Sequence, residues 1–193
     1  MKIITISREY AAGGHSVGAR AAEALGLELY DEDIITRAAV ASGLDRDTVS
    51  RTEEVITRLD SFIRSINPVT YEQKDIIFSA EKDAILNFAS QGPCVILGRC
   101  ADAILRDAGY ETLNVFLYSD YAHRAARAAD LLHNSDASFI KKTIKTIDAS
   151  RHAYFNYYTD KEWGSPENYD LMLNTGILGY ELCVRLICEA AQN

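Results

Sequence analysis

Five short apolar runs, spaced by longer amphipathic stretches, set the strongest limit on what this chain can fold into. The runs are Lys2–Ser7 (KIITIS), Leu27–Tyr30 (LELY), Cys94–Gly98 (CVILG), Leu113–Tyr118 (LNVFLY) and Asp170–Leu173 (DLML). Most are closed by glycine, proline or acidic residues, and their length suits strands buried on both faces. Helical periodicity fills the gaps. Gly14–Leu25 carries Val17, Ala21, Ala22 and Leu25 on one face. Further helices are predicted over Asp33–Ser42, Asp45–Ile66, Thr70–Ser90, Asp120–His133, Ala137–Tyr158 and Ile177–Ala191. Strands that alternate with helices build βαβ units and therefore a parallel sheet, so an α/β fold is expected. Residues 31–91 break the alternation with a long helical block, which reads as an insertion over one end of the sheet. At 193 residues the chain is expected to form a single domain, with a core of 1–30 and 92–193 and the insertion at 31–91.

The formal charge of −8, from 20 basic and 28 acidic residues, argues against a broad basic face for nucleic acid or an anionic membrane. No apolar run approaches the roughly 20 residues that span a bilayer. The opening MKIITISREY lacks the apolar core and cleavage site of a secretory leader, so a cytoplasmic location is expected. Cys94, Cys100, Cys183 and Cys188 form no C-x-x-C pair, and neither they nor the four histidines show metal spacing. Free thiols in a reducing compartment are the expectation.

Ligands of open α/β sheets gather at the carboxyl ends of the strands. The first such end is Ser7-Arg8-Glu9-Tyr10-Ala11-Ala12-Gly13-Gly14-His15-Ser16. A strand, a glycine turn and a helix start form an anion cradle, because consecutive N–H groups converge on the positive end of the helix. Gly13, Gly14, His15 and Ser16 are the phosphate-binding candidates, with the Ser16 hydroxyl a ligand for magnesium. A glycine turn that lets the helix pack closely explains the same residues. The standard loop, G-x-x-x-x-G-K-[ST], has a lysine that this chain lacks.

After the second strand, Asp31 and Asp33 can orient an attacking oxygen or hold magnesium, or they can cap the next helix. Arg99 follows the third strand, where its planar guanidinium suits a phosphate, or a carboxylate such as Asp102. Arg124 and Arg127 share one helix face. Lys141, Lys142 and Lys145 read as surface. Asp148 and Arg151 are spaced to pair. Asn174 and Thr175 follow the last strand, with Thr175 also placed to cap the final helix. The aromatic stretch 152–163 (HAYFNYYTDKEW) suits the packing of a long helix better than base stacking, since no basic groove accompanies it.

Several stations occur in an order that resembles the cytidylate kinase-like family of P-loop kinases. They are Ser7-Arg8 with Gly13-Gly14, Leu25-Gly26, Tyr30-Asp31, Gly98-Arg99, Arg124 with Arg127, Asp148 with Arg151, and Leu173-Asn174-Thr175. The resemblance implies a P-loop NTPase-type, three-layer α/β/α fold with a five-stranded parallel sheet. It implies transfer of a phosphoryl group from magnesium-bound ATP to a small acceptor, with CMP or dCMP first, and small nucleotides as partners rather than nucleic acid polymers or membranes. A homo-oligomer is compatible with it. By this resemblance Arg8, Arg124, Arg127 and Arg151 act on the donor phosphates, from a lid at 120–151. Asp31 stands near the attacking oxygen, Arg37 and Arg99 hold the acceptor, Ser16, Asp31 and Asp33 hold magnesium, and Asn174 and Thr175 approach the adenine. Gly14 occupies the place of the family's usual lysine, and Arg8 is the expected substitute. Two alternatives follow from that departure and from residues 31–91: a nucleotide-binding or regulatory protein without turnover, and a kinase for another small metabolite.

Overall fold

A computed structural model describes residues 2–41 and 71–192. Their strands are β1 (Ile3–Arg8), β2 (Leu29–Tyr30), β3 (Val95–Leu97), β4 (Thr112–Tyr118) and β5 (Leu171–Asn174). Their helices are α1 (Gly14–Leu25), α2 (Glu32–Ala41), α3 (Tyr71–Ser90), α4 (Ala101–Asp107), α5 (Tyr121–Leu132), α6 (Ala137–Thr159) and α7 (Thr175–Gln192). All five expected strands form, and they pair in parallel in the order β2-β3-β1-β4-β5. The helix expected over Asp45–Ile66 lies outside the described residues. The short helix α4 was not expected from the sequence. Its seven residues carry too few turns for a periodic signal, and Gly98, Arg99 and Cys100 enter it with φ of 71°, 54° and 56°.

The strands sort their side chains by the two-residue period of a pleated sheet. Ile4, Ile6, Val95, Leu97, Val115 and Leu117 face α1 and α7, where they pack with Val17, Ala21, Cys183 and Ile187. Ile3 and Ile96 face the other way and meet Ile35 of α2, Ile85 and Ala89 of α3, Leu105 of α4 and Phe155 of α6. The fold is thus an α/β three-layer sandwich, as expected. The described parts of the 31–91 block are built into one outer layer of it.

Helices α5 and α6 pack together through Ala128, Ile140 and Ile144, and this small cluster covers Tyr10 and Ala11 of the loop after β1. The far end of α6 lies on α3. Tyr158 stacks on Phe78 at 3.9 Å and Phe155 is buried, so this part of the aromatic stretch is helix packing, as the sequence suggested. Cys94, Cys100 and Cys183 are buried free thiols and Cys188 is partly covered. Among the described residues no helix is long and apolar enough to cross a membrane.

Candidate active site

The loop leaves β1 at Arg8 and enters α1 at Gly14. Its shape rests on a positive φ at Ala11 (61°) and Gly13 (86°). Gly13 stands at the N-cap position of α1 and offers no side chain to cap it. The first N–H groups of α1 are therefore left for a ligand, on the positive end of the helix. A side chain at Gly13 would strike Tyr180 of α7, with 2.5 Å to its Cε1. Thr175 ties the loop down from the other side. Its buried hydroxyl lies 2.9 Å from the Ala12 carbonyl and 3.2 Å from that of Tyr118.

Arg8 runs along Gly14. A Cβ at Gly14 would stand 2.6 Å from Arg8 Cγ and 3.1 Å from Cδ. The place that a lysine would occupy thus holds the stem of Arg8. The Arg8 guanidinium continues to Glu32, with 2.9 Å from Nη2 to Oε1. Gly98 makes room for this pair, since a Cβ there would overlap Arg8 Nη1 and sit 2.9 Å from Glu32 Oε1. Arg151 stands behind, donating from Nη1 to the Arg8 carbonyl at 3.0 Å, while its buried Nε has no hydrogen-bond partner. Burial, and then the like charge of Arg8, lower Arg151 to about 10. Burial alone would raise Glu32, but Arg8, Arg99 and Arg151 outweigh it and hold the carboxyl down at about 2. Arg8, Arg151 and Glu32 form one charged cluster at the end of β1.

Arg99 belongs to a second cluster. Its Nε lies 3.5 Å from Oε1 of Glu81, which is wholly buried on α3. Tyr154 donates to Glu81 Oε2 at 2.8 Å, and its ring lies 5.5 Å from the Arg99 guanidinium. The Thr36 hydroxyl stands 3.1 Å from Glu81 Oε1 and 3.5 Å from Arg99 Nη2. Burial works against the Arg99 charge, but Glu81 and then Glu32 overcome it and raise the group. The partner of Arg99 is thus Glu81. Asp102, the carboxylate weighed for it from the sequence, is buried at the start of α4 and pushed up to about 6 by desolvation.

The other expected residues have these positions. Arg124 pairs with Asp148 at 2.5 Å and approaches Glu9 at 3.3 Å. Asp148 also accepts the Tyr10 N–H at 2.7 Å, so its partners are Arg124 and the loop rather than Arg151. Arg127 donates to Ser16 Oγ at 2.9 Å and lies over the Tyr180 ring. Asp31 caps α2 through the Ile34 N–H at 3.0 Å, and its other oxygen faces His15 at 3.7 Å. Asp33 and Arg37 are exposed on α2, and Lys141, Lys142 and Lys145 are exposed on α6. Asn174, not Thr175, caps α7, by accepting from Gly176 and Ile177. The structure therefore gathers Arg8, Gly13, Gly14, Ser16, Arg124, Arg127 and Arg151 around the loop. It pairs Arg99 with Glu81, within electrostatic reach of Glu32, and leaves Arg37 and Asp33 at the surface.

The sequence reading missed Glu32, Glu81 and Tyr154. A signal for Glu81 was present. It lies four residues after Ile77 and three before Ala84, on the apolar stripe of α3, where a carboxylate needs a buried partner. Glu32 had no comparable signal, since it stands between two acids on an acidic segment.

The model of the cytidylate kinase-like family matches residues 3–177. The chain belongs to that family. Solved structures agree in fold. An uncharacterised protein from Eubacterium ventriosum is 22% identical, with a TM-score of 0.76, covering 100% of this chain and 99% of that one. A gluconokinase from Sinorhizobium meliloti is 15% identical, with a TM-score of 0.57 and coverage of 100% and 94%. A shikimate kinase from Bacteroides thetaiotaomicron is 14% identical, with a TM-score of 0.56 and coverage of 100% and 99%. No curated protein matches the chain by sequence. Family and fold together support phosphoryl transfer as the general chemistry.

Proposed function

We propose that this protein transfers the terminal phosphoryl group of ATP to a small acceptor. The observation that carries the reading is the uncapped N-terminus of α1 with Arg8 laid across Gly14 and Arg151 behind it. A partly buried arginine pair, with the Arg151 Nε buried and unpartnered, suits an anionic ligand, and the N–H groups of α1 suit phosphate oxygens. Arg8 fills the role of the absent lysine by lying where that side chain would run. Arg127 and Arg124 reach the loop from α5, and Tyr10 and Ala11 are covered by the α5–α6 pair. Such a cover excludes water from the donor phosphates.

Magnesium needs only one or two protein oxygens when it arrives with ATP. Ser16 Oγ keeps a lone pair beyond its Arg127 contact, and Asp31 reaches the same loop end through His15. These two fit the ion, and Asp33 lies outside. When bound, magnesium offsets charge on the phosphate oxygens during transfer.

CMP and dCMP are the first acceptors in this reading, from the family resemblance, with Arg99 and Arg37 as the acceptor arginines. A second acceptor class, a small metabolite attacking through a hydroxyl, is favoured by one observation: Arg99 already faces the buried Glu81. A coupled ADP-release assay with magnesium, run over nucleoside monophosphates and small hydroxyl compounds, tests both. Steady acceptor-dependent turnover supports transfer. ATP binding with no turnover on any acceptor identifies a nucleotide-binding or regulatory protein instead.

A further inference from the structure

We propose that Arg127 and a divalent cation exclude each other at the Ser16 hydroxyl. Nucleotide then loads onto the loop with or without magnesium, and Arg127 turns from Ser16 to the donor phosphates only when the metal accompanies them. The proposal rests on the phosphoryl-transfer reading and adds to it a linkage between metal loading and the placement of one arginine.

The arginines around the loop differ in how they are held. Arg8 faces Glu32 at 2.9 Å, and Arg124 lies between Asp148 and Glu9. Among the described residues the partners of Arg127 are neutral. Its Nη2 donates to Ser16 Oγ at 2.9 Å, and its Cζ lies 5.1 Å from the centre of the Tyr180 ring. A hydroxyl and a ring hold a guanidinium less firmly than a carboxylate does. The seat is nonetheless a defined one. Tyr180 packs so closely on Gly13 that a Cβ there would stand 2.5 Å from its Cε1, and Gly179 breaks α7 just ahead of it, with φ 70° and ψ 158°. Arg127 is thus placed on Ser16 by the loop and by the bend in α7, yet it is free to leave at small cost.

Hydrogen-bond count alone would let Ser16 serve two partners, because its hydroxyl has two lone pairs. Charge does not. In loops of this kind the hydroxyl at the start of the helix is a protein ligand of the magnesium that travels with the phosphates. Magnesium sits at about 2.1 Å from its oxygens, so with Nη2 at 2.9 Å from the same Ser16 oxygen the two cations would stand at most about 5 Å apart. The contact is partly buried, and like charges that close repel strongly where water is limited. Arg127 therefore gives up Ser16 when the metal is bound. It stays beside the loop, because α5 is anchored there by Asp148, which holds both Arg124 and the Tyr10 N–H. Its side chain turns while the helix keeps its place. In a metal-free nucleotide complex the Arg127 charge stands in for the cation next to the phosphates. Magnesium then adds little net affinity, since its gain is offset by the lost Arg127 contact. What it changes is where the guanidinium points. No covalent bond forms or breaks in this rearrangement.

Calorimetric binding of ADP, once with magnesium and once with EDTA, reads this linkage without turnover. In wild type the metal is expected to change ADP affinity by less than about threefold. In Arg127→Ala the metal-free affinity should fall while the affinity with magnesium is nearly kept, so that the metal effect grows at least about tenfold over wild type. Ser16→Ala removes the shared oxygen, and in that background Arg127→Ala should no longer enlarge the metal effect, the mark of two groups that act through one atom. If Arg127→Ala does not fold, Arg127→Gln carries the same comparison. Equal loss of ADP affinity with and without metal in the Arg127 variant overturns the proposal, as does an undiminished enlargement in the Ser16→Ala background. A wild type whose ADP affinity rises more than about tenfold with magnesium overturns it as well. Absence of ADP binding by the wild type under both conditions overturns the underlying phosphoryl-transfer reading, and this proposal with it.

Discussion

The contact between Arg8 and Gly14 predicts a reversal of sign that few sites offer. Gly14 has helical geometry and stands at the first position of α1, so Gly14→Ala would ordinarily gain up to about 1 kcal/mol of helix propensity. Here the new Cβ would meet Arg8 at 2.6 Å (Cγ), 3.1 Å (Cδ) and 3.2 Å (Cβ). These are stem atoms near the backbone, and the guanidinium beyond them is held by Glu32, so the stem cannot swing away freely. Overpacking of this kind costs about 1–3 kcal/mol. Gly14→Ala should therefore destabilise the protein by about 0.5–2 kcal/mol. In an Arg8→Ala background only the 3.2 Å contact remains, and a small shift relieves it. There Gly14→Ala should be neutral or stabilising. The coupling between the two changes is then about 1–3 kcal/mol, well beyond the few tenths expected of independent sites. Urea unfolding of the four proteins measures it. Additivity within about 0.5 kcal/mol would refute the claim that Arg8 occupies the lysine position.

Three further outcomes follow from the same geometry. Arg8→Ala should lower acceptor-dependent turnover at least about a hundredfold while changing ATP affinity far less, and equal losses in both would remove Arg8 from the transfer step. Glu81→Ala leaves the Arg99 charge buried and unpaired, at a cost of about 3–5 kcal/mol in urea unfolding; a loss below about 1 kcal/mol would contradict the pairing. Asp102 has a folded pKa raised from 3.8 to about 6, so the native state holds its proton more tightly than the unfolded chain, and stability is lost as pH rises through that window. At about 1.4 kcal/mol per tenfold change in proton affinity, Asp102→Asn should gain up to about 3 kcal/mol relative to wild type between pH 4 and pH 7.5. A pH-independent difference in unfolding free energy would show that Asp102 ionises freely.

Most of the framework could be read from local pattern. β1, β3 and β4 are apolar runs buried on both faces, while β2 and β5 are partly exposed but still bounded by polar or breaker residues, so local pattern found them without tertiary information. The loop at Gly13-Gly14 was legible for the same reason, since only backbone and neighbouring residues shape it. Helix α4 was not, because its entry depends on positive φ at Arg99 and Cys100, a conformation that residue type does not announce.

Charge partnership marks where the sequence stopped. The nearest acid in sequence was the natural partner for each arginine: Asp102 for Arg99, Asp148 for Arg151. In the fold, Arg99 meets Glu81 on α3, Arg124 takes Asp148, and Arg8 meets Glu32 across the carboxyl end of β3, at Gly98. Such pairings follow from the strand order β2-β3-β1-β4-β5, which brings α2, α3 and the loop after β3 to one end of β1. By itself the sequence determined the α/β class, the parallel strands, the glycine loop after β1 and the missing lysine. Only the tertiary structure decided that the Arg8 stem lies against Gly14, that Arg99 faces Glu81, and that Glu32 pairs with Arg8 while Asp31 caps α2. The physical reason is that hydrophobic periodicity is a property of a segment, whereas a buried charge is defined by whatever the packing sets beside it.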